Sequence, residues 1–276
     1  MESARYRQGF SLIEIVVAVA IVAIIAGALA PYTVKRLNNG RNQATTTEMA
    51  RIETALLDFF DDLGRFPSQS EGLEALAVST DLSGQDLASW KGPYISGGHD
   101  DLVVDIQQDT FGSSYVYVAV PTLSPAEAGY VVLASPGVNK TQEMPDSGST
   151  WVIANSNLYD DLVLFISSSS LNRQKKLETL VELNALADAS REYYKDNSDF
   201  PANLAALAGE FIDSGFEEDA FSDEWKMDYQ MSLDGGSPET MTLHSYGPDM
   251  SDDSGGDDDL VLAVSAAVIL HSVDPN

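Results

Sequence analysis

Hydrophobic residues follow two patterns along the 276-residue chain. The first is an apolar run from Phe10 to Ala30, FSLIEIVVAVAIVAIIAGALA, whose single charged residue is Glu14. These 21 residues would form a helix of about 31 Å at 1.5 Å per residue, long enough to cross a bilayer core. The run therefore predicts a membrane-spanning helix over 10–31.

The second pattern begins after Pro31 and has the three-to-four spacing of an amphipathic helix, with acidic residues on the opposite face. Its apolar positions are Ile52, Leu56, Phe59, Phe60 and Leu63. Gly64 is a stop signal for this helix. We predict one helix of roughly 50 residues that runs from the membrane into a soluble head, with a kink or loosening at Pro31.

The rest of the chain contains an internal repeat, in which four blocks recur in the same order at offsets of 134, 110, 110 and 98 residues. The blocks pair 58–67 with 192–201, 109–112 with 219–222, 135–139 with 245–249, and 160–164 with 258–262. Because the order is preserved, we predict two homologous heads, over 32–167 and 171–276, joined at the serine junction 168–170. The second head has an amphipathic helix but no membrane half.

Each predicted head has the order helix, short helix, then strands. The short helical stretches are 72–77 and 203–208. Residues 115–120 and 130–134 are rich in β-branched and aromatic residues, and a connection with Pro and Gly joins them, which predicts a β-hairpin. The fold class is therefore α+β, with an antiparallel sheet packed on the amphipathic helix.

The composition adds a strong charge asymmetry. The formal net charge is −28, from 43 acidic and 15 basic residues, while residues 1–51 contain six basic and three acidic side chains. An acidic body excludes most nucleic-acid binders, whose phosphate contacts need a basic face. It suits cation binding, basic partners or simple solubility. Because the chain has no cysteine, it has neither disulfides nor thiolate metal sites.

Glu14 is the unusual residue of the apolar run. A carboxylate inside a membrane span costs roughly 2.5–3.5 kcal/mol or more, so it marks a functional site by default. Alternatively, it lies near the helix end and snorkels into water. A secretory signal peptide, with Arg5 and Arg7 as its charged region, is a further interpretation. The run is long for that purpose, and Gly9 precedes it, where signal peptidase would not cut.

The residues around this carboxylate resemble a known processing signal. A short basic leader, residues 1–9, is followed directly by Phe10-Ser-Leu-Ile-Glu14, which is similar to the class III signal of type IV prepilins and type II secretion pseudopilins. The resemblance implies cleavage between Gly9 and Phe10 by prepilin peptidase, and N-methylation of Phe10. In a filament of bundled helices, Glu14 would then pair with the new α-amino group on Phe10 of a neighbouring subunit and set the register.

Motifs in the first head narrow this resemblance to the major, G-type pseudopilin of type II secretion. They are Phe66-Pro67, Gly72-Leu-Glu-Ala-Leu76, Trp90-Lys-Gly-Pro-Tyr94 and Asp109-Thr-Phe-Gly112. The implied architecture is a type IV pilin-like fold followed here by a second α+β head. Two features depart from the family: Thr110 and Phe111 stand where it usually has Pro and Trp, and it has one head.

An acidic loop is the best candidate for chemistry. Residues 249–259 read Asp-Met-Ser-Asp-Asp-Ser-Gly-Gly-Asp-Asp-Asp, so six carboxylates lie on a Gly/Ser segment. Hard oxygen ligands suit Ca²⁺, which would also relieve the repulsion among the carboxylates. The stretch lacks Cys and His, which argues against Zn²⁺, and its spacing is not that of an EF-hand. The alternative is a solvated loop without an ion.

The resemblance favours the ion, because G-type pseudopilins bind Ca²⁺ in this loop through two Asp side chains and backbone carbonyls. Carried over residue by residue, the carboxylate ligands are Asp249 and Asp258, and the carbonyls come from Tyr246, Gly256 and Leu260. Because one residue is inserted in the loop, Asp257 and Asp259 are alternatives to Asp258. The equivalent pair in the first head is Asn139 and Asp160, where the Asn amide can ligate but brings no charge.

The sequence does not indicate an enzyme. The available imidazole bases are His99, His244 and His271, and the chain has no GxSxG, P-loop or HExxH motif.

We therefore predict a structural subunit of a type II secretion pseudopilus or related filament. It would be anchored in the bacterial inner membrane with periplasmic heads, and then join a periplasmic or cell-surface filament. Its partners would be other pilin or pseudopilin subunits, prepilin peptidase, the inner-membrane assembly platform and the membrane, with no nucleic acid. One alternative is a minor or tip subunit of a type IV pilus whose second head serves adhesion or binding. Another is a solitary periplasmic binding protein that retains residues 1–9.

Overall fold

A computed structural model describes residues 11–95, 106–120, 129–143, 159–212, 221–256 and 258–273, with side chains up to Ile269. Its first element is helix α1, Leu12–Leu63, of 52 residues, which confirms the predicted long helix. The helix ends at Gly64, whose φ of 73° is the left-handed conformation that glycine adopts without strain. α1 continues through Pro31 without a break.

The N-terminal part of α1 has a large uncovered apolar surface. Residues 11–37 are all exposed, whereas the buried positions of the helix begin at Thr45. Among the described residues, α1 is the one helix long and apolar enough to cross a membrane. A surface of this kind needs lipid or neighbouring helices to cover it.

The C-terminal part of α1 packs on a sheet in the first half of the molecule, defined here as residues 32–167. The remaining elements are a 3₁₀ turn at Gly72–Leu76, helix α2 at Gly84–Ser89, and strands β1 at Val116–Val120, β2 at Tyr130–Ser135 and β3 at Leu162–Ser167. β2 is central and antiparallel to both neighbours, which confirms the predicted hairpin. Its inward residues Val131 and Leu133 share a core with Ile52, Leu56 and Phe59 of α1.

The second half, residues 168–273, repeats the order long helix, 3₁₀ turn and three strands, but its described residues have no counterpart of α2, and it adds a 3₁₀ turn before the third strand and a helix after it. Its elements are helix α3 at Ser169–Asn197, 3₁₀ turns at Leu204–Leu207 and Gly247–Asp249, strands β4 at Gln230–Leu233, β5 at Thr240–Ser245 and β6 at Leu260–Ser265, and helix α4 at Ala266–Val273. β5 is central and antiparallel to both neighbours. A separate core joins Leu183 and Leu186 of α3 to Met241 and Leu243 of β5. Helix α4 was not predicted, because a short apolar run directly after a strand has no periodicity of its own.

A shared hydrogen-bond pattern shows which positions of the two halves correspond. The Asp109 carboxylate accepts from the backbone N–H groups two and four residues later, at 2.9 and 2.8 Å, and from the Ser135 hydroxyl at 2.5 Å. Asp223 accepts the same three bonds, at 3.0, 2.9 and 2.6 Å, with Ser245 as the hydroxyl donor. Burial raises the pKa of Asp223 despite these three bonds.

This pattern corrects one block of the predicted repeat. Residues 109–112 correspond to 223–226, not to 219–222, because the carboxylate that closes the turn is Asp223. The shared Asp and aromatic residue at 219–222 suggested the wrong alignment. In the corrected one, the buried Trp225 occupies the position of Phe111.

The predicted serine junction, 168–170, lies where strand β3 passes into helix α3. Ser167 is the last residue of β3, and α3 begins at Ser169. Between them, Ser168 is fully buried, and its N–H donates to the carbonyl of Gly129 at 2.8 Å. Strand β3 therefore leads directly into α3, because the sheet has a backbone acceptor for the intervening residue.

The two halves touch at the C-terminal end of α1. A Cβ placed on Gly64 would lie 2.8 Å from Cα of Trp225, so this position requires glycine for space as well as for φ. Lys175, which is 5% exposed, donates from its side chain to the carbonyls of Asp61 and Glu224, both at 2.9 Å. Burial lowers the pKa of Lys175. A buried cation satisfied by carbonyls thus links α1 to the second half.

Candidate functional site

Glu14 lies in the first turn of α1, where it completes a capping box. Its carboxylate accepts from the N–H of Ser11 at 3.1 Å, and its own N–H donates to the Ser11 hydroxyl at 3.3 Å. This reciprocal arrangement satisfies backbone donors at the helix N-terminus. The predicted processing residues Gly9 and Phe10 lie outside the described residues.

The acidic loop 249–259 connects β5 to β6, and the end of β5 positions its first residues. The Ser245 hydroxyl, which donates to Asp223, also accepts the N–H of Gly247 at 3.2 Å. Gly247 has a φ of 68°, and a Cβ there would collide with the carbonyl of Asp258. The N–H of Asp249 donates to Asp258 Oδ2 at 2.9 Å. The close approach at Gly247 therefore brings Asp249 and Asp258 together across the loop.

Three carboxylates converge here, from Asp249, Asp253 and Asp258. One oxygen of each lies within 4.8 Å of the other two. Ligand oxygens on opposite sides of Ca²⁺ are about 4.6–5.2 Å apart, so the three fit around one ion. Asp258 is 1% exposed, and its Oδ1 has no hydrogen-bond partner among the described residues. Burial raises the pKa of Asp258, and repulsion from Asp249 and Asp253 adds to this. A buried acceptor without a donor suits a cation.

The structure separates the predicted carboxylates into two groups. Asp249 and Asp258 lie together, and Asp253, which the sequence analysis did not single out, joins them. Asp259 lies instead beside His244 on β5, with Asp259 Oδ2 2.9 Å from His244 Nε2. The carboxylates could not be sorted from sequence, because an irregular loop has no period. Strand alternation does place His244 on the face opposite the buried Leu243.

Two of the predicted carbonyl ligands, Tyr246 and Leu260, flank this loop, and the third, Gly256, lies within it. Tyr246 directly precedes the 3₁₀ turn, and Leu260 begins β6 opposite Ser245. The carbonyl of Gly256 accepts the N–H of Asp259 at 3.1 Å. Asp257 lies outside the described residues, and the roles of all four as ligands stay predictions.

The first half has the same hydrogen-bonded frame, meaning the buried Asp, its Ser partner and the backbone N–H that donates to the carboxylate before the third strand, but the side chains at the site differ. The N–H of Asn139 donates to Asp160 Oδ2 at 2.8 Å, which is the bond that joins Asp249 to Asp258. The Asn139 amide donates to Glu143 Oε1, also at 2.8 Å. That bond lowers the pKa of Glu143, but desolvation and the carboxylates of Asp161 and Asp160 outweigh it, and the pKa is raised. Here an amide donor faces the carboxylates.

The comparisons with known proteins cover the N-terminal half of the chain. Residues 32–150 match the model of the family described as type II secretion system (T2SS), protein G, and residues 4–30 match the prokaryotic N-terminal methylation motif. No solved structure matches the chain significantly.

Several curated relatives carry the name type II secretion system core protein G. The protein of Klebsiella pneumoniae is 27% identical over 147 residues, which is 53% of this chain and 96% of the relative. That of Vibrio cholerae is 26% identical over 160 residues, 58% of this chain and 99% of the relative. That of Pseudomonas aeruginosa is 29% identical over 121 residues, 44% of this chain and 80% of the relative. Over residues 4–150, which include α1 and strands β1 and β2, the chain is thus similar to the pseudopilin family of type II secretion protein G.

Proposed function

We propose that this protein is a structural subunit of a type II secretion pseudopilus. The observation that carries the proposal is α1 itself. A methylation motif leads into the exposed apolar part of this helix. The same helix then continues into the core of the first half, whose residues 32–150 match the family model. One helix can therefore lie in the inner membrane before assembly and in a bundle of neighbouring subunits afterwards. The family implies a structural subunit rather than an enzyme.

Processing would remove residues 1–9 and leave a methylated amino group on Phe10. Prepilin peptidase and the inner-membrane assembly platform are the implied partners, together with other pseudopilin subunits. The heads would lie in the periplasm. Intact-mass analysis of protein from the membrane of a host with prepilin peptidase tests this: we expect loss of residues 1–9 and addition of one methyl group. Retention of residues 1–9 would contradict the proposal.

Glu14 would set the register of the helices by pairing with the amino group on Phe10 of a neighbour. Its capping box offers a competing, purely structural role, and two variants separate the roles. Glu14→Gln keeps the capping box, since Gln serves at this position, but removes the charge; Glu14→Val removes both. We expect both variants to insert in the membrane and to assemble poorly, measured as subunits cross-linked into filaments. Normal assembly of Glu14→Gln would refute the charge pair.

The second half is best explained as a second copy of the pseudopilin head without its own membrane segment. The supporting observations are the shared strand order, the two separate cores and the equivalent Asp–Ser bonds. A filament would have to accommodate this extra head outside the helical shaft, because the shaft is formed by the apolar part of α1.

We also propose that Asp249, Asp253 and Asp258 bind Ca²⁺, with carbonyls of the loop completing the shell. Binding to the folded state alone would raise its stability by mass action. We expect chelation to lower the melting temperature of the full chain in detergent, and Asp249→Ala to abolish that dependence. Asp196→Ala, which removes an exposed acid on α3, is the control. If a chelator changes nothing in the unmodified chain, the loop is merely solvated.

A further inference from the structure

A second group of potential ligands lies beside the proposed Ca²⁺ site. His244 on β5, together with Asp252 and Asp259 of the acidic loop, places one nitrogen and two carboxylate oxygens within 4.8 Å of one another. The loop assigns neighbouring residues to different groups: Asp252 and Asp259 face His244, while their neighbours Asp253 and Asp258 face Asp249. The two groups therefore share no side chain.

Asp259 and His244 each have a side-chain atom in this group that makes no hydrogen bond among the described residues. The Asp259 side chain is 0% exposed, and its Oδ1 has no hydrogen-bond partner among the residues that the structure describes. His244 Nε2 lies 2.9 Å from Asp259 Oδ2 but makes no hydrogen bond within the described part of the chain. A fully buried carboxylate oxygen without a donor, next to a ring nitrogen that lies beside the carboxylate but makes no hydrogen bond, points to a missing cation rather than to repulsion alone.

The remaining contacts hold these ligands in place. The backbone N–H groups of Asp253 and Gly255 donate to Asp259 Oδ2 at 3.0 and 2.9 Å. The His244 ring packs edge-on against Tyr246, with 5.2 Å between ring centroids. Asp252 accepts the N–H of Ser254 at 2.8 Å. Hydrogen bonds and ring packing of this kind orient metal ligands.

We propose that His244, Asp252 and Asp259 form a second metal site, for a divalent first-row transition ion such as Zn²⁺. An imidazole with two carboxylates suits such ions, whereas Ca²⁺ takes oxygen ligands alone. Three protein ligands leave at least one position for water. The sequence analysis disfavoured a Zn²⁺ site in the acidic loop because residues 249–259 contain no His. In the fold, β5 brings the imidazole of His244 to this loop. The first half has Ala134 at the position of His244, so the site belongs to the second half alone.

Calorimetric titration of Zn²⁺ into the full chain in detergent, with Ca²⁺ at saturation, tests the proposal. We expect one Zn²⁺ to bind while Ca²⁺ stays bound. His244→Gln should weaken Zn²⁺ binding by about tenfold or more, and His99→Gln should leave it unchanged. X-ray absorption of the Zn²⁺-loaded protein should show one imidazole in the coordination shell.

Two adjacent substitutions distinguish this site from the Ca²⁺ site without disturbing the core, because both residues are exposed. Asp252→Asn should weaken Zn²⁺ and leave Ca²⁺ affinity within about twofold; Asp253→Asn should do the reverse. The proposal is overturned if the unmodified chain binds no Zn²⁺, if His244→Gln binds it normally, or if Zn²⁺ displaces Ca²⁺ one for one. Failure of Ca²⁺ binding alone would leave the Zn²⁺ results intact.

Discussion

The two halves of this molecule have one framework and two chemistries. In both, a buried Asp closes a turn and holds a Ser at the end of the central strand. Both then place the next loop against a carboxylate before the third strand. The residues within this frame differ: Asn139 stands where the second half has Asp249, and Ala134 where it has His244. Because the residues at these two positions take part in the frame only through their backbone, their side chains can change without altering the fold.

The frame itself should be the most sensitive feature. Replacing Asp109 or Asp223 by Ala would leave a buried N–H group, a half-buried N–H group and a hydroxyl without their charged acceptor, so we expect each change to lower the free energy of unfolding by about 3–5 kcal/mol. Urea unfolding of the full chain in detergent, followed by circular dichroism, measures this. Asp228→Ala, at an exposed position of the same turn, should be nearly neutral. A large effect at one site only would disprove their equivalence.

One substitution should give the first half the Ca²⁺ site that we propose for the second half. Asn139→Asp replaces the amide donor near Glu143 and Asp160 by a third carboxylate, so we expect the number of bound Ca²⁺ ions to rise from one to two in calorimetry. At 100 times the dissociation constant, the added ion would stabilise the fold by about 2.7 kcal/mol. Asn139→Ala should keep a single ion. Two ions in the unmodified chain would mean that the first half already binds Ca²⁺ through its Asn.

The contact between halves depends on Lys175, whose counterpart in α1, by the 134-residue offset of the helices, is the exposed Arg41. Lys175→Met keeps most of the packing but leaves two carbonyls without their donor, and we expect a loss of about 1–3 kcal/mol. Arg41→Met should change stability by less than about 0.5 kcal/mol. Equal effects in urea unfolding would show that burial of Lys175 contributes nothing.

The first half also has an ion-pair network of a kind not found among the described residues of the second half. The Arg65 guanidinium binds both Glu71 oxygens at 2.8 Å and Asp86 at 2.7 Å. Partial burial opposes ionisation, but the hydrogen bonds from Arg65 outweigh it and lower the pKa of Glu71 below its ordinary value of 4.5. The network should therefore stabilise the fold above pH 4.5 and lose this contribution as the pH falls through the lowered value.

Glu71→Gln tests the size of this smallest effect. We expect a loss of about 1 kcal/mol at neutral pH, which disappears in acid because the unmodified chain loses the same interaction there. Thermal unfolding between pH 3 and pH 7 compares the two proteins. A constant difference across this range would show that the ionised pair is not the source.

Much of the architecture could be predicted from residue patterns. The apolar run and the three-to-four spacing predicted α1, and Gly64 predicted its end; the β-rich segments predicted the hairpin of β1 and β2. The register of the repeat could not be predicted, because two segments have an Asp two residues before an aromatic residue: Asp219 with Phe221, and Asp223 with Trp225. The true alignment depends on which carboxylate reaches Ser245.

The sequence by itself determined the membrane-length helix, the α+β class and the acidic loop, because each depends on composition or on a period along the chain. Its short motifs also carried the resemblance to the pseudopilin family. Only the tertiary structure decided which loop carboxylates converge, since an irregular loop has no period. It also brought His244 beside Asp259, because antiparallel pairing of β5 with β6 joins residues that are far apart in sequence. Physically, local patterns specify elements, whereas ligand sets arise where separate elements meet.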